Sequence, residues 1–440
     1  LIIGAVARRA LSRRPSLPRL NKSFRIYGPF AGHGIAPDGN DLMSQAIYFD
    51  WAVSTMFGWG VYGLNLIRHW SDVAGTPAYT LAQLHLESLA GMDPLALRSI
   101  AQKLVDSDVL RIERLGAAAR SRPLDGTVLH ALGNKFSGST LPSRGGPTGR
   151  ATVGMIFFED TNLPDAATVA RDYDLIVTGS SWCEAVMRSQ GVSNVTTVLQ
   201  GIDPSLFHPG PSAGTLAGRF AVYSGGKLER RKGQDLLLLA FRAFAARHPD
   251  AVLVSSWHSP WPVTALTVNE NAGIVPLRLG ADGRIDATNW AVENGVPADQ
   301  FIDLGTVPNH LMARVLREMD VAVFPNRCEG GTNLVAMECM ACAVPVILAN
   351  CTGQRDLVAT GAPYPLDRLS PATRVDFGTD GWGECDVEEI LEMLEYVYAH
   401  RDKARRRGEA GARAMEALSW RNQIGQLHRA LAPLGVAAAA

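Results

Sequence analysis

The stretch PNRCEGGTNLVAMECMACAVPV, residues 325–346, decides how the rest of the chain is read. It holds two glutamates, Glu329 and Glu338, a Gly-Gly-Thr-Asn turn and a Cys-x-x-Cys pair, Cys339 and Cys342. These suggest a metal site, a redox pair or an anion cradle. The preceding VAVFPN reads as a buried strand and TNLVAMECMAC as a helix, so Glu329 to Thr332 form the strand-to-helix turn. Amide N–H groups at a helix start have no partner within the helix, and they bind an anion without a metal. Zinc would need a second cysteine pair or nearby histidines, and a thioredoxin-like motif would need its first cysteine at a helix start. Cys339 and Cys342 instead sit at i, i+3 inside an apolar run, which fits buried small residues. Glu338 has apolar neighbours too, which argues against a plain surface position. If it points into a cleft, it reaches ribose hydroxyls.

At 440 residues the chain exceeds one ordinary core, and two domains are expected. Hydrophobic residues make up 47% and charged residues 19%, and a net charge of −1 gives no electrostatic case for a nucleic-acid partner. The uncharged run at residues 51–67 contains Ser, Thr, Asn and several glycines, so it reads poorly as a bilayer span. Six cysteines do not make a disulfide framework, and reduced thiols fit a soluble cytoplasmic protein. Residues 1–42 read as an extension: seven basic residues and no acid lie between Leu1 and Arg25, and Met43 opens a normal strand, turn and helix. The competing reading of that extension is a basic anchor at the membrane surface.

Strand-like runs such as QAIYFD, TVLHAL, ATVGMIFFE, DLIVTGS and VTTVLQ alternate with helical ones, and this argues for a parallel sheet covered on both faces. The Pro/Gly-rich stretch 203–218 breaks the pattern. It restarts with RFAVYSGG and the helical GQDLLLLAFRAFAARHP, followed by strands in AVLVSSW, FIDLGTV, VAVFPN and PVILAN. The expected fold is α/β: two doubly wound Rossmann-like domains facing across a cleft, 43–210 and 211–412, with C-terminal helices and a last helix, 413–440, packing back on the first domain. Ligands of such sheets lie outside the carboxyl ends of the strands.

The turn FGWGVYG sets Gly58, Gly60 and Gly63 between the first strand and first helix in a GxGxxG pattern. A dinucleotide fold would next want an acid ending strand two, and GTPAYTLAQLHL has none, so a nicotinamide-dependent oxidoreductase is disfavoured. In GGKLERRKGQDL, Gly226 lets a phosphate approach the backbone, and Lys227 and Lys232 can neutralise a diphosphate. A solvated basic loop is the alternative, since Arg230 and Arg231 lie beside them.

Four segments together resemble the GT-B retaining glycosyltransferases of glycosyltransferase family 4: GWGVYG, VLQGIDPSLFHP, SGGKLERRKGQDLLLLAF and FPNRCEGGTNLVAMECMACAVPV. YDLIVTGSSWCEAVMRSQGV, VPNHLMARVLREMDVAVFPN and LSWRNQIGQLHRAL add to the resemblance, which covers residues 43–434. It implies a nucleotide-diphosphate sugar donor, UDP- or GDP-linked, held mainly by the C-terminal domain, with an unidentified acceptor on the N-terminal one. Lys227 stands where the family usually has Arg, and Lys232 matches its Lys; both would bind the diphosphate. Glu338 matches the glutamate on the nucleotide ribose. Glu329 resembles the one near the donor sugar, with Gly330, Gly331, Thr332, Asn333 and the following Leu334 contributing to donor binding alongside Gly58, Gly60 and Gly226. There are two departures. Eight residues separate Glu329 from Glu338, where the family usually has seven. The histidine that often ends the relevant first-domain strand is replaced by Glu159, with Asp160 beside it, and His130 on the preceding strand is a further cleft candidate.

The chemistry this implies is departure of the nucleoside diphosphate with same-face attack by the acceptor hydroxyl, without a metal or other cofactor. Two rivals share the fold: a sugar-nucleotide epimerase, and a degenerate module that binds without turnover. The basic residues in the first-domain stretch 120–150 suit a lipid-linked or polyanionic acceptor, which would bring the protein to the inner face of the membrane.

Overall fold

The computed structural model describes residues 46–114, 122–137, 141–259, 261–375 and 377–436. The expected extension at 1–42 and the expected start at Met43 lie outside the described residues.

Short apolar runs build two six-stranded sheets. The first contains β1 Ala46–Phe49, β2 Ala78–Thr80, β3 Gly126–Leu132, β4 Ala151–Ile156, β5 Leu175–Thr178 and β6 Val195–Thr197, in the order β2-β1-β3-β4-β5-β6. The second contains β7 Phe220–Gly225, β8 Ala251–Ser256, β9 Phe301–Asp303, β10 Val321–Phe324, β11 Val346–Ala349 and β12 Tyr364–Leu366, in the order β12-β11-β10-β7-β8-β9. Every pairing in both sheets is parallel. VAVF of β10 and VILA of β11 are buried along their whole length, because a parallel sheet with crossover helices is covered on both faces. A small antiparallel hairpin, β13 Leu369–Pro371 and β14 Gly383–Cys385, follows the second sheet.

The helices that bear on the site are α1 Gly58–Ala74, α2 Pro94–Glu113, α3 Ser181–Ser189, α4 Gln234–Ala245, α5 Asn309–Leu316, α6 Leu334–Ala341, α7 Val387–Ala399, α8 Arg401–Ala417 and α9 Trp420–Leu431. One apolar layer on the second sheet holds Phe241, Phe244, Trp257 and Trp290, and the other holds Met312, Met337, Met340 and Leu348. Around the first sheet, Trp51, Tyr62 and Trp70 form one cluster, and Phe158, Tyr173 and Met187 another.

Helix α9 joins the first-domain cluster although it follows the second sheet in sequence. Its Trp420, Ile424, Leu427 and Leu431 recur at helical spacing and are buried with Tyr62 and Trp70. Ser419 caps α9 by accepting the Asn422 amide at 3.2 Å, and a bridge between Ser419 and Ile202 fixes its start on the segment after β6. Residues 203–218 contain neither helix nor strand and carry the chain from the first sheet to the second.

Candidate active site

In the second sheet, β7 leads outward to β8 and β9, whereas β10 leads the other way to β11 and β12. The connections part between β7 and β10, and the crevice outside their carboxyl ends is where open parallel sheets take ligands. Gly226 and Lys227 follow β7, and residues 325–333 follow β10. The two sequence stretches expected to carry chemistry therefore meet. Gly233 adopts a φ of 69° and lies so close to the Pro325 carbonyl that a Cβ would collide with it, and the Arg231 carbonyl accepts the amides of Arg327 at 2.7 Å and Cys328 at 3.2 Å. The 227–233 loop is thus fastened to the turn after β10.

Charged side chains converge on this frame. Lys232 and Asn326 both donate to Glu329 Oε1, and Arg231 Nη1 lies 3.1 Å from Glu329 Oε2. Arg231 Nη2 reaches Glu229 at 2.8 Å and, from the other domain, Glu159 at 3.4 Å, while Lys227 is 3.4 Å from Glu229. Burial alone would raise the pKa of Glu329, but Lys232 and Arg231 override it and hold the carboxyl below its ordinary range. Reading 230–231 as a solvated loop is corrected here. Arg231 is 13% exposed and sits among three carboxylates, and Arg230 is 3.4 Å from Glu270. No spacing in the sequence marks the role of Arg231, because two of its partners, Glu159 and Glu329, come from distant segments.

At the start of α6, the residues from Gly330 to Asn333 are all buried. Among the described residues their amides donate no hydrogen bond, and the Asn333 Nδ2 group is buried without a partner. The Asn333 carbonyl oxygen of the side chain caps α6 by accepting the Ala336 amide at 3.3 Å. Thr332 points its hydroxyl into the core, at 3.0 Å from Met337 Sδ, so only its backbone is left for the cleft. A Cβ on Gly330 would strike the Phe158 carbonyl and one on Gly331 the Gln200 side chain. The two glycines let this turn close against the first domain, where Ser180 Oγ donates to the Gly330 carbonyl at 2.8 Å.

The first-domain candidates divide. Glu159, just after β4, faces Arg231, and its carbonyl accepts Trp382 Nε1 at 2.9 Å. Asp160 is buried and holds the hairpin loop between β13 and β14 through the Gly378 amide at 2.7 Å, with Lys135 at 3.2 Å. The placement of His130 in the cleft is corrected. It lies within β3 rather than at its end and has no exposed surface, its Nε2 donating to the Pro147 carbonyl at 2.7 Å and its Nδ1 meeting Tyr173 Oη at 3.3 Å. Burial lowers its pKa and favours the neutral ring. The glycine-turn reading is corrected too. Gly60 and Gly63 lie inside α1, with Gly60 pressed on the Ser54 backbone and Gly63 on the Trp51 ring. Only Gly58, exposed at the first position of α1, borders the second domain, next to Leu334.

A cavity of about 550 Å³ opens between α1 and α2 on one side and α5 and α6 on the other, lined by Asn65, Arg68, Met92, Asn309, Leu334 and Glu338 among others. Asn309 Nδ2 donates to Glu338 at 3.2 Å, and burial pushes the Glu338 pKa up to about 7. Leu334 links this cavity to the charged cluster, since it lines the one and follows the turn that carries the other. Cys339 and Cys342 are buried in the α6 layer of the core, and desolvation raises both thiol pKa values. Among the described residues no three His, Cys, Asp or Glu side chains are grouped to hold a metal ion, and no helix is long and apolar enough to cross a membrane.

Residues 268–370 match the family described as Glycosyl transferases group 1, a stretch that contains Glu329, α6 and Glu338. Over 310 residues the chain is 23% identical to the GDP-mannose-dependent alpha-(1-6)-phosphatidylinositol dimannoside mannosyltransferase of Mycobacterium tuberculosis, covering 68% of this chain and 72% of the relative. Sucrose-phosphate synthase from Thermosynechococcus elongatus superposes with a TM-score of 0.58 at 17% identity, over 88% of this chain and 99% of that one. Anabaena HepE in complex with UDP gives 0.55 at 14% identity, over 88% and 100%. The chain has the GT-B fold, and its segment 268–370 is similar to the group 1 glycosyl transferases. In this GT-B protein Asn333, with a φ of 73°, starts α6, and Glu329 lies in the turn between β10 and α6 beside Lys232 and Arg231.

Proposed function

We propose that this protein is a retaining glycosyltransferase that moves a hexose from a nucleoside-diphosphate sugar to an acceptor hydroxyl in glycolipid or polysaccharide biosynthesis. The observation that carries this reading is the convergence, at the β7/β10 crevice, of Lys227, Lys232 and the amides of residues 330–333, which donate no hydrogen bond among the described residues. Cations and helix-start amides suit a leaving diphosphate, which gains most negative charge as the sugar departs. The role proposed for Glu338 is to accept hydrogen bonds from the ribose hydroxyls in the adjoining cavity. Glu329 would hold the donor sugar's hydroxyls, and Glu159 would orient the acceptor or the sugar. Same-face attack then needs no carboxylate to bond covalently to the sugar.

The donor is proposed to be a UDP- or GDP-sugar, the relative's name being GDP-mannose-dependent and one structural neighbour holding UDP. The scheme is metal-independent, with side-chain cations in place of a divalent ion. A cytoplasmic site, with peripheral contact at the inner membrane face, fits a lipid-linked acceptor. The test is to incubate the purified protein with a panel of nucleotide sugars, with and without lipid acceptors, before and after prolonged EDTA treatment. Donor hydrolysis or transfer that survives EDTA is expected. Nucleotide binding without turnover would turn the reading to a binding module, and release of an epimer to an epimerase.

A further inference from the structure

We infer that Arg231 is a positioning residue that stays with Glu329 and Glu159 when Lys232 turns to the donor diphosphate. This rests on the proposed donor site. Glu329 is 6% exposed, and both its oxygens are engaged, one by Lys232 and Asn326 and the other by Arg231. Lys232 runs beside Gly226, with its Cε 3.9 Å from where a Cβ there would stand, so it lies where a phosphate would approach the backbone. A diphosphate that draws Lys232 away removes one of the two cations on Glu329, and a buried carboxylate stripped of all its cations is strongly disfavoured.

Arg231 meets that need without moving. Its guanidinium is a rigid fork, with Nη1 on Glu329 and Nη2 on Glu229 and Glu159, and its backbone carbonyl is held by the amides of Arg327 and Cys328. It also joins a carboxylate after β4 of the first sheet to one after β10 of the second, so it sets Glu159 relative to the donor sugar. The titratable groups facing this cluster are Glu159, Glu229, Glu329, Lys227, Lys232 and the Cys328 thiol.

Calorimetry of UDP and GDP binding near neutral pH, in buffers of different ionisation enthalpy, counts the protons taken up. Arg231→Gln should take up about one more proton per nucleotide than the wild type, because Glu329 loses both cations and protonates. In turnover, Arg231→Gln should lower kcat at least about ten-fold and also weaken donor binding, with the acid limb of the pH profile displaced upward. Arg231→Lys should restore the proton count but not the full kcat, since one ammonium cannot fork between Glu329 and Glu159. It carries the test alone if Arg231→Gln does not fold. An identical proton count and acid limb in wild type and Arg231→Gln, or an Arg231→Lys enzyme with wild-type kcat, overturns the inference. A wild-type protein that binds neither nucleotide overturns the donor-site reading instead, and shows itself before any variant is made.

Discussion

Arg327 and Asp235 form a fully buried two-pronged ion pair, Nη1 to Oδ1 at 2.8 Å and Nη2 to Oδ2 at 2.7 Å, with neither side chain exposed. Asp235 belongs to α4 and Arg327 to the turn after β10, so the pair fastens the helix that follows the lysine loop to the turn that carries Glu329. Glu384 of β14 takes the remaining face of the guanidinium at 2.5 and 2.8 Å. Replacing Arg327 by Leu leaves Asp235 buried without a cation, and the loss should be about 3–5 kcal/mol of stability. Urea denaturation measures it. Restoring part of that loss with Asp235→Leu in the same chain is the expected sign that the pair is coupled, and strictly additive losses would contradict it.

Lys232→Ala should weaken nucleoside diphosphate binding. A charge-assisted hydrogen bond contributes about 1.5–3 kcal/mol, partly offset here because Lys232 must leave Glu329 to make it. The expected loss at the calorimeter is about ten-fold, close to the lower of those limits. Unchanged affinity would return Lys232 to a purely structural partner of Glu329.

Nucleotide affinity should rise with pH around neutrality. The Glu338 pKa of about 7 means the carboxyl is half protonated there, and ribose hydroxyls donate best to the ionised form. Binding therefore favours loss of the proton, and affinity climbs as pH passes upward through 7. Folding stability moves the other way. The contribution of a carboxyl whose folded pKa is raised is complete below its unfolded pKa of 4.5 and is lost as pH rises through 7. Titrating the affinity of Glu338→Gln in parallel removes the contribution of phosphate ionisation, and the variant's slope should be shallower than that of the wild type.

Glu329→Gln should keep nucleotide affinity within about three-fold and slow transfer by an order of magnitude or more, roughly 1.4 kcal/mol at least. Its neutral amide cannot hold Lys232, Arg231 and Asn326 as the carboxylate does. Steady-state kinetics beside calorimetry separates the two effects. Normal turnover in this variant would leave the backbone of residues 330–333 to hold the sugar alone.

His130→Phe should cost stability and leave kcat/KM near wild type. The ring is enclosed, and its loss leaves the Pro147 carbonyl and Tyr173 hydroxyl short of a partner, about 1–3 kcal/mol. Thermal denaturation and a rate measurement on the same preparation decide between this and a role in the cleft.

The parallel sheets were legible in the sequence because each strand is a short run of apolar residues between turn signals, as in VAVF and VILA, and a strand buried on both faces has no other composition to use. The strand-to-helix turn before α6 was legible for a similar local reason: helix geometry leaves the first amides of a helix unpaired wherever it lies. What the sequence could not decide was partnership. Gly58, Gly60 and Gly63 share one motif, yet only contact with Ser54 and Trp51 makes two of them packing residues of α1. His130 read as a cleft candidate until Pro147 and Tyr173 closed on it. Arg231, Glu159 and Glu329 lie in three distant segments, and nothing in their local surroundings announces that they meet. By itself the sequence determined the run of parallel strands and the residue types offered near their ends, since these depend on neighbours along the chain. Only the tertiary structure decided which charges face one another, because electrostatic energy depends on separation in space and on burial, and neither is written in local spacing.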